Sequence, residues 1–325
     1  MRVLNAATVR RLLSMQQCIE IMDAAMRAVS SGSVSMPPRS FVPLTDPDAH
    51  LLLMPGSAPE LPAYGTKIIG LHHGNKARHL PVIQGLVALF DSETGTPVAI
   101  IEGATVTAIR TAAASGLATR ALARTSASSH GVLGTGVQAA THIEAIACVR
   151  DIGEVRVWGR DRDKARSFAD DQSRRFGLDV TAVESAAEAV GCDIVSAVTG
   201  AREPILEGAC LSPGAHVNLL GGHTPTEREA DSDAIARSSV YVDVLASAHA
   251  EAGDILIPVA EGRIGWRDVV GEIGQVLAGE VAGRIDDTQI TLYKSLGTVA
   301  QDLFVANYLF EAATAADAGV TVKMS

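Results

Sequence analysis

Residues 130–139 read HGVLGTGVQA, a short apolar run that leads into a glycine-rich turn and then into an alanine-rich segment. In a Gly-X-Gly-X-X-Ala pattern the first glycine makes the tight turn, and the second lets the backbone approach a pyrophosphate. The third small residue, here Ala139, permits close packing of helix on strand. The anion then lies at the positive end of the helix. The stretch predicts a dinucleotide-binding turn, although such a pattern alone also fits an ordinary strand–helix connection.

The sequence that follows this turn predicts a doubly wound parallel sheet. Short apolar runs alternate with helical or turn-rich segments as far as residue 244, and such alternation is typical of a parallel sheet covered by helices on both faces. The runs lie at residues 154–158, 180–183, 194–197, 216–220 and 240–244.

The sequence before the turn has a different character. Residues 14–30 have apolar positions at helical spacing, with Ser14 as the cap and Gly32 as the stop. The proline-rich stretch 36–91 predicts strands joined by turns, followed by one more strand and a helix. Residues 289–316, strand-like and then helical, are expected to cross back to this N-terminal part.

Composition excludes several classes of protein. The formal net charge of −10 repels phosphate backbones and argues against a nucleic-acid partner. No apolar run approaches the roughly eighteen residues of a membrane span. The four cysteines show no C-x-x-C spacing, which favours free thiols in a reducing cytoplasm. The histidines show no ligand spacing, so we expect no metal site.

The end of the second strand of the sheet bears on the choice of cofactor. An acid there would bind the ribose hydroxyls of NAD, whereas an arginine would pair with the 2′-phosphate of NADP. Gly159 stands at the position expected for the acid, and Arg160 follows it. This favours NADP, with NAD less favoured because Asp161 comes next. Arg160 would otherwise be a solvated surface residue.

Three cations lie in apolar or turn-rich surroundings: Arg39, Lys67 and Arg110. A small carboxylate substrate requires bidentate guanidinium pairing and a lysine that can share or lose a proton. Taken singly, each is more often a surface or structural ion-pair residue. Arg110 is the least ordinary, because in an alanine-rich helical segment only Glu102 is close in sequence to offer a carboxylate.

Motifs along nearly the whole chain, in order, resemble the ornithine cyclodeaminase/mu-crystallin family. They are YGTKIIG at 64–70, the turn at 74–75, residues 81–91, 107–114, 134–140 and 218–222, AGD at 252–254 and YKSLG at 293–297.

The resemblance implies a substrate-binding and dimerisation domain at residues 1–115 with 295–325, completed by the C-terminal helix, and a Rossmann domain at 116–294. It implies a homodimer, and it implies that Arg39, Lys67 and Arg110 hold the carboxylate of a small amino or imino acid. Lys67 is also implied in proton transfer. The residues expected to bind the cofactor are Thr111, Gly134, Thr135, Gly136, Val137, Gln138, Arg160, Thr199, Gly221 and Ser295.

One position departs from the cyclodeaminase pattern, in which an aspartate directly follows a Gly-Gly pair. Here His223 follows Gly221-Gly222. An aspartate can pair with a substrate ammonium, whereas histidine exchanges protons near neutral pH. His223 would otherwise be an ordinary loop residue.

The sequence therefore favours NADPH-dependent reduction of a small cyclic or acyclic imino acid, of the pyrroline- or piperideine-2-carboxylate or ketimine type. The reaction would be reversible as an amino-acid dehydrogenase, with Lys67 and His223 as catalytic residues. One alternative is a cyclodeaminase-type lyase that releases ammonia with catalytic NAD. Another is an NADPH-dependent small-molecule binding protein.

Overall fold

The computed structural model describes residues 1–46 and 49–323, without the side chains of residues 73 and 76. The chain divides into two compact units, Met1–Arg110 with Thr298–Ser325, and Thr111–Gly297. The first division falls inside the helix Gly103–Leu122. Residues 324 and 325, the last of the predicted substrate domain, lie outside the described residues.

The N-terminal part of the chain alternates short helices with the strands of one sheet. Its elements are β1 (Arg2–Leu4), α1 (Ala6–Leu12), α2 (Met15–Ser30), β2 (Ser40–Pro43), β3 (Ala49–Gly56), β4 (Ala63–His72), β5 (Ile83–Asp91), β6 (Pro97–Glu102) and α3 (Gly103–Leu122). The predicted helix over 14–30 is confirmed. The Ser14 hydroxyl accepts the Gln17 N–H, and Gly32 takes the left-handed conformation with φ +76° just beyond the helix.

The middle of the chain forms the parallel sheet and its covering helices. Its elements are β7 (Ser129–Leu133), α4 (Val137–Ala147), β8 (Glu154–Trp158), α5 (Arg162–Phe176), β9 (Asp179–Ala182), α6 (Ala186–Val190), β10 (Ile194–Ala197), β11 (His216–Leu219), α7 (Ser232–Ala236), β12 (Ser238–Val242), α8 (Leu245–Glu251), α9 (Gly253–Ala260), β13 (Val269–Glu272), α10 (Ile273–Ala278) and β14 (Ile290–Lys294).

The strands of this sheet are all parallel, in the order β13-β12-β14-β11-β10-β7-β8-β9. Every residue of β10, β11 and β14 is buried, as expected of strands covered on both faces. The two apolar cores include Leu133 on one face and Val132 on the other. The predicted doubly wound α/β fold is confirmed.

The strand at Ile290–Lys294 corrects one expectation. Instead of crossing back with the helix that follows, β14 lies inside the parallel sheet, paired with β11 and β12. All five residues of β14 are buried, as expected of a strand covered on both faces of a parallel sheet. The chain rejoins the N-terminal part only from Thr298 onwards.

The C-terminal elements α11 (Val299–Ala315) and β15 (Val320–Thr321) complete the first unit. Its sheet has the order β15-β1-β6-β5-β4-β3-β2, antiparallel except where β1 runs beside β6. Helix α11 packs on α2 and on β3, β4 and β5. A side chain at Gly65 would meet Leu303 of α11 at 3.1 Å, so the odd-numbered residues of β4, Lys67 among them, face this helix.

Candidate functional site

The glycine turn after β7 has the geometry that a pyrophosphate requires. Gly134 has φ +126°, and a Cβ there would lie 3.0 Å from the Val198 carbonyl oxygen, so both conformation and space call for glycine. Gly136 is the N-cap of α4 and brings no side chain to its first-turn N–H groups. Ala139 is fully buried against the sheet. The turn could therefore hold an anionic group at the helix N-terminus.

The strand order places this turn at a topological switch point. Strand β8 lies on one side of β7, and β10 lies on the other, so the connections diverge at the carboxyl end of β7. Ligands of open α/β sheets bind in such a crevice. Thr199, Gly221 and Ser295 follow β10, β11 and β14, so the structure brings these candidates to the same edge as Gly134.

The other candidate cofactor residues occupy three places. Thr135 is half-buried in the turn, Val137 is 69% exposed in the first turn of α4, and Gln138 beside it is half-buried. Thr111 is half-buried in α3. Their roles in binding stay predictions.

Arg160 and Asp161 follow β8, and they differ in whether their charged groups are available to a bound cofactor. Arg160 is exposed. Asp161 is the N-cap of α5, and its Oδ1 accepts the Lys164 N–H at 3.0 Å. The carboxylate that argued for NAD is therefore engaged in capping a helix.

The loops after β10 and β11 share a residue that the sequence did not indicate. Glu229 is fully buried, and its carboxylate accepts hydrogen bonds from Thr199 and from the Gly221 N–H. Glu229 lies in a segment without apolar periodicity, so only the three-dimensional structure shows its position.

In the first unit, Lys67 and Arg110 converge on one buried carboxylate. Lys67 Nζ lies 2.8 Å from Asp302 Oδ1, and Arg110 Nε lies 3.2 Å from the same oxygen. Arg110 Nη1 also donates to Gln301 Oε1 at 2.7 Å. We call Lys67, Arg110, Gln301 and Asp302 the cation cluster. Its three charged side chains are at most 7% exposed.

The electrostatics of the cation cluster favour a further anion. Two positive charges face one carboxylate, and unmatched buried charge is costly. Burial lowers the pKa of Lys67 to about 8, while the Asp302 carboxylate raises it and the charges of Arg110 and Arg39 lower it. Arg39 is half-exposed, and its charge has the smallest effect of those that lower the pKa of Lys67.

The carboxylate that pairs with Arg110 comes from a distant part of the chain. Glu102 does not serve it: its two oxygens accept the N–H groups of Ala104 and Thr105 at the start of α3. The carboxylate comes instead from Asp302, which is 192 residues away in sequence. A signal was present, because Gln301 and Asp302 are polar residues within a largely apolar helix.

His223 lies in the second unit, exposed, directly after Gly222 with φ +64°. Lys67, the other predicted catalytic residue, lies in the first unit. Within residues 1–46 and 49–323, no three His, Cys, Asp or Glu side chains are grouped to hold a metal ion. No helix in the described part of the chain is long and apolar enough to cross a membrane.

The fold and the glycine turn at its switch point define a class of protein. This is a Rossmann-type α/β protein with a candidate dinucleotide site, and its other unit contains the buried cation cluster. The ornithine cyclodeaminase/mu-crystallin family matches residues 1–317. A Delta(1)-pyrroline-2-carboxylate reductase of Bacillus cereus is 36% identical over 325 residues, covering 99% of this chain and 100% of that protein. This chain belongs to the ornithine cyclodeaminase/mu-crystallin family, as its motifs predict.

Solved structures agree over the full length. Thermococcus litoralis Delta(1)-pyrroline-2-carboxylate reductase, in complex with NADH and L-proline, matches with a TM-score of 0.96 and 34% identity over 99% of this chain and 100% of that one. An archaeal alanine dehydrogenase dimer with bound NAD matches with a TM-score of 0.93 and 31% identity, covering 100% of this chain and 99% of that one.

Proposed function

We propose that this protein is an NADPH-dependent reductase of a small cyclic or acyclic imino acid, reversible as an amino-acid dehydrogenase. The observation that carries the proposal is the cation cluster, in which buried Lys67 and Arg110 outnumber the single carboxylate of Asp302. A substrate carboxylate would offset this excess charge. Full-length relatives named as reductases of a cyclic imino acid support the reaction type.

Reduction of a carbon–nitrogen double bond requires a hydride at carbon and a proton at nitrogen. Bound NAD(P)H supplies the hydride. The turn Gly134–Gln138 would hold its pyrophosphate, with Thr111, Thr199, Gly221 and Ser295 as further contacts. The fit rests on the positive φ of Gly134 and on the α4 N-terminus, whose N-cap glycine contributes no side-chain acceptor.

The residues of the chain would hold the substrate and its proton. The Arg110 guanidinium, already oriented by Gln301 and Asp302, presents a charged donor to the substrate carboxylate, and Arg39 adds a second. Lys67, with its pKa lowered to about 8 by burial, is largely protonated at neutral pH yet close to releasing its proton. Lys67 or His223 would deliver that proton to the nitrogen.

A substrate panel tests this function. Five-membered and six-membered cyclic imino acids and acyclic keto acids with amines are incubated with the protein and NADPH, and nicotinamide absorbance is followed. We expect sustained oxidation of NADPH with at least one cyclic imino acid. Tight dinucleotide binding without turnover on any member of the panel would instead favour a binding protein.

The cofactor preference gives a first prediction. We expect NADPH to bind at least tenfold more tightly than NADH, a difference of about 1.4 kcal/mol, because exposed Arg160 can pair with a phosphate while Asp161 is engaged as a helix cap. The two solved relatives hold NADH and NAD, so this chain would differ from them. Fluorescence titration measures both affinities. Arg160→Gln should remove the preference, and equal affinities in the wild-type protein would contradict it.

A homodimer is the second prediction. The even-numbered residues of β4 face away from α11, and Ile68 pairs there with Leu53 and Leu86, all only half-buried. We propose that a second copy covers this apolar face. Ile68→Glu would then place a charge in the interface and raise the dissociation constant of the dimer at least 100-fold, about 2.7 kcal/mol.

Light scattering across a concentration series measures this change. Ile285→Glu is the matched control, because Ile285 is 73% exposed in the other unit and should leave the dimer intact. A monomeric wild-type protein, or an Ile68→Glu variant that dimerises normally, would refute the assignment.

We also propose a cytoplasmic location, which the four free cysteines support.

A further inference from the structure

The loops after β10 and β11 are tied together by one buried carboxylate. Glu229 Oε1 accepts the Thr199 N–H at 2.7 Å and the Thr199 hydroxyl at 2.6 Å. Glu229 Oε2 accepts the Gly221 N–H at 2.5 Å. Because β10 and β11 are neighbouring parallel strands, Glu229 joins two adjacent connections at the carboxyl edge of the sheet.

Glu229 is itself fixed by a second buried carboxylate. The Glu229 N–H donates to Asp254 Oδ1 at 2.8 Å, and the neighbouring Ala230 N–H donates to the same oxygen at 3.1 Å. Lys294 Nζ pairs with Asp254 Oδ2 at 2.8 Å and donates to the Gly221 carbonyl oxygen. The Gly221 residue is therefore held at its N–H by Glu229 and at its C=O by Lys294.

The Gly221-Gly222 turn leaves no room between these groups. A Cβ on Gly221 would lie 2.5 Å from Glu229 Cδ, and a Cβ on Gly222 would lie 2.7 Å from Asp254 Oδ2. Gly222 also has φ +64°. The turn that precedes His223 therefore packs directly against the carboxylates of Glu229 and Asp254.

The charge of Glu229 has an energetic cost that its hydrogen bonds offset only in part, because the pKa of this carboxyl group is raised. Burial raises the pKa of Glu229, as does the Asp254 carboxylate, while the Thr199 donors and the Lys294 charge lower it. An apolar residue of similar size would avoid this cost but could not bind either loop. The role of the carboxylate is therefore to fix the positions of the two loops rather than to fill space.

We infer that Glu229 is a positioning residue, which fixes the Thr199 and Gly221–His223 loops relative to each other for binding of the nicotinamide dinucleotide. In doubly wound sheets the dinucleotide lies across the carboxyl edge, starting from the switch point that here lies between β7 and β10. The two loops that Glu229 joins follow β10 and its neighbour β11. This inference rests on the proposed function for its ligand.

The decisive variant is Glu229→Gln, which preserves size but turns an acceptor into an amide donor. At one of the two loops, a backbone N–H donor must then face the amide N–H donor of the new side chain. That loop loses its hydrogen bond to residue 229. Glu227→Gln is the matched control, since Glu227 lies on the same segment and pairs with the largely exposed Arg202. Thr199→Val is the milder second variant if Glu229→Gln fails to fold. It keeps the backbone bond to Glu229 but removes the hydroxyl's bonds to Glu229 and to the Ala201 N–H.

Hydrogen–deuterium exchange of peptides and NADPH titration give the readouts. In Glu229→Gln we expect exchange at residues 198–202 and 219–224 to rise at least tenfold, exchange in β7 and β8 to stay unchanged, and the Kd for NADPH to rise at least tenfold. Thr199→Val should raise exchange only around residue 199 and weaken NADPH binding less. Glu227→Gln should match the wild-type protein.

Two results would overturn the inference: exchange and NADPH affinity within twofold of wild type in Glu229→Gln, or exchange that rises equally throughout the parallel sheet. The latter would mean a general loss of stability. A wild-type protein that binds NADPH but reduces no imino acid would refute the proposed reaction and leave this test intact, because neither readout measures turnover.

Discussion

Lowering the pH from 7.5 to 5.5 should reduce the free energy of unfolding by about 4 kcal/mol, near 1.4 kcal/mol for each of three histidines. His130, His142 and His216 are fully buried, and burial lowers their pKa values to about 3, 4 and 3. The unfolded chain titrates near pH 6.5 and so binds more protons than the folded protein below that pH. Their contribution is fully present above pH 6.5 and is lost as the pH falls.

Denaturant unfolding at the two pH values measures this loss. His130→Asn should remove about a third of it, because one of the three titrating groups is gone. His79→Asn is the control for the substitution itself, since the His79 side chain is exposed and its replacement should not disturb the three buried histidines. A free energy of unfolding that is equal at pH 7.5 and 5.5 would contradict the prediction.

Arg110→Ala should lower kcat/KM for the imino acid about 150-fold or more, roughly 3 kcal/mol of transition-state stabilisation. The substrate carboxylate would lose its preoriented guanidinium, because Arg110 is held between Asp302 and Gln301. The Kd for NADPH should stay within about threefold, since the dinucleotide turn lies in the other unit.

Two further variants separate charge from geometry. Arg110→Lys keeps the charge but cannot reach Asp302 and Gln301 with a single planar group, so we expect most of the loss to remain. Arg27→Ala removes a partly exposed arginine that pairs with Asp23 in α2, and it should leave turnover unchanged. Activity of Arg110→Ala within a few-fold of wild type would make Arg110 a structural residue.

Local sequence patterns predicted much of the parallel sheet. The strand Glu154–Trp158 was located to the residue, because apolar and polar side chains alternate along it between two flanking glycines, as in a half-buried strand. The same patterns could not set the order of strands. β14 lies between β11 and β12 although many residues separate it from both, so its place depends on the topology of the whole sheet.

The candidate sites were predictable only in part, for a related reason. The residue types of Lys67 and Arg110 and their apolar surroundings indicated anion binding. Asp302, which joins them, is brought near by the packing of α11 on the first sheet and is 235 residues from Lys67. Glu229 likewise has no periodic or spacing signal, because its partners lie on loops rather than along one element.

The central claim, net reduction of a carbon–nitrogen double bond at the expense of NADPH, is tested by measuring ammonia and nicotinamide oxidation in parallel reactions. With a cyclic imino acid, we predict one NADPH oxidised for each amino acid formed. With ornithine and catalytic NAD(P), we predict no ammonia, because His223 provides no negative charge to offset desolvation of a second ammonium. Ammonia release from ornithine, with proline formed and no net change in nicotinamide, would contradict the account and identify a lyase.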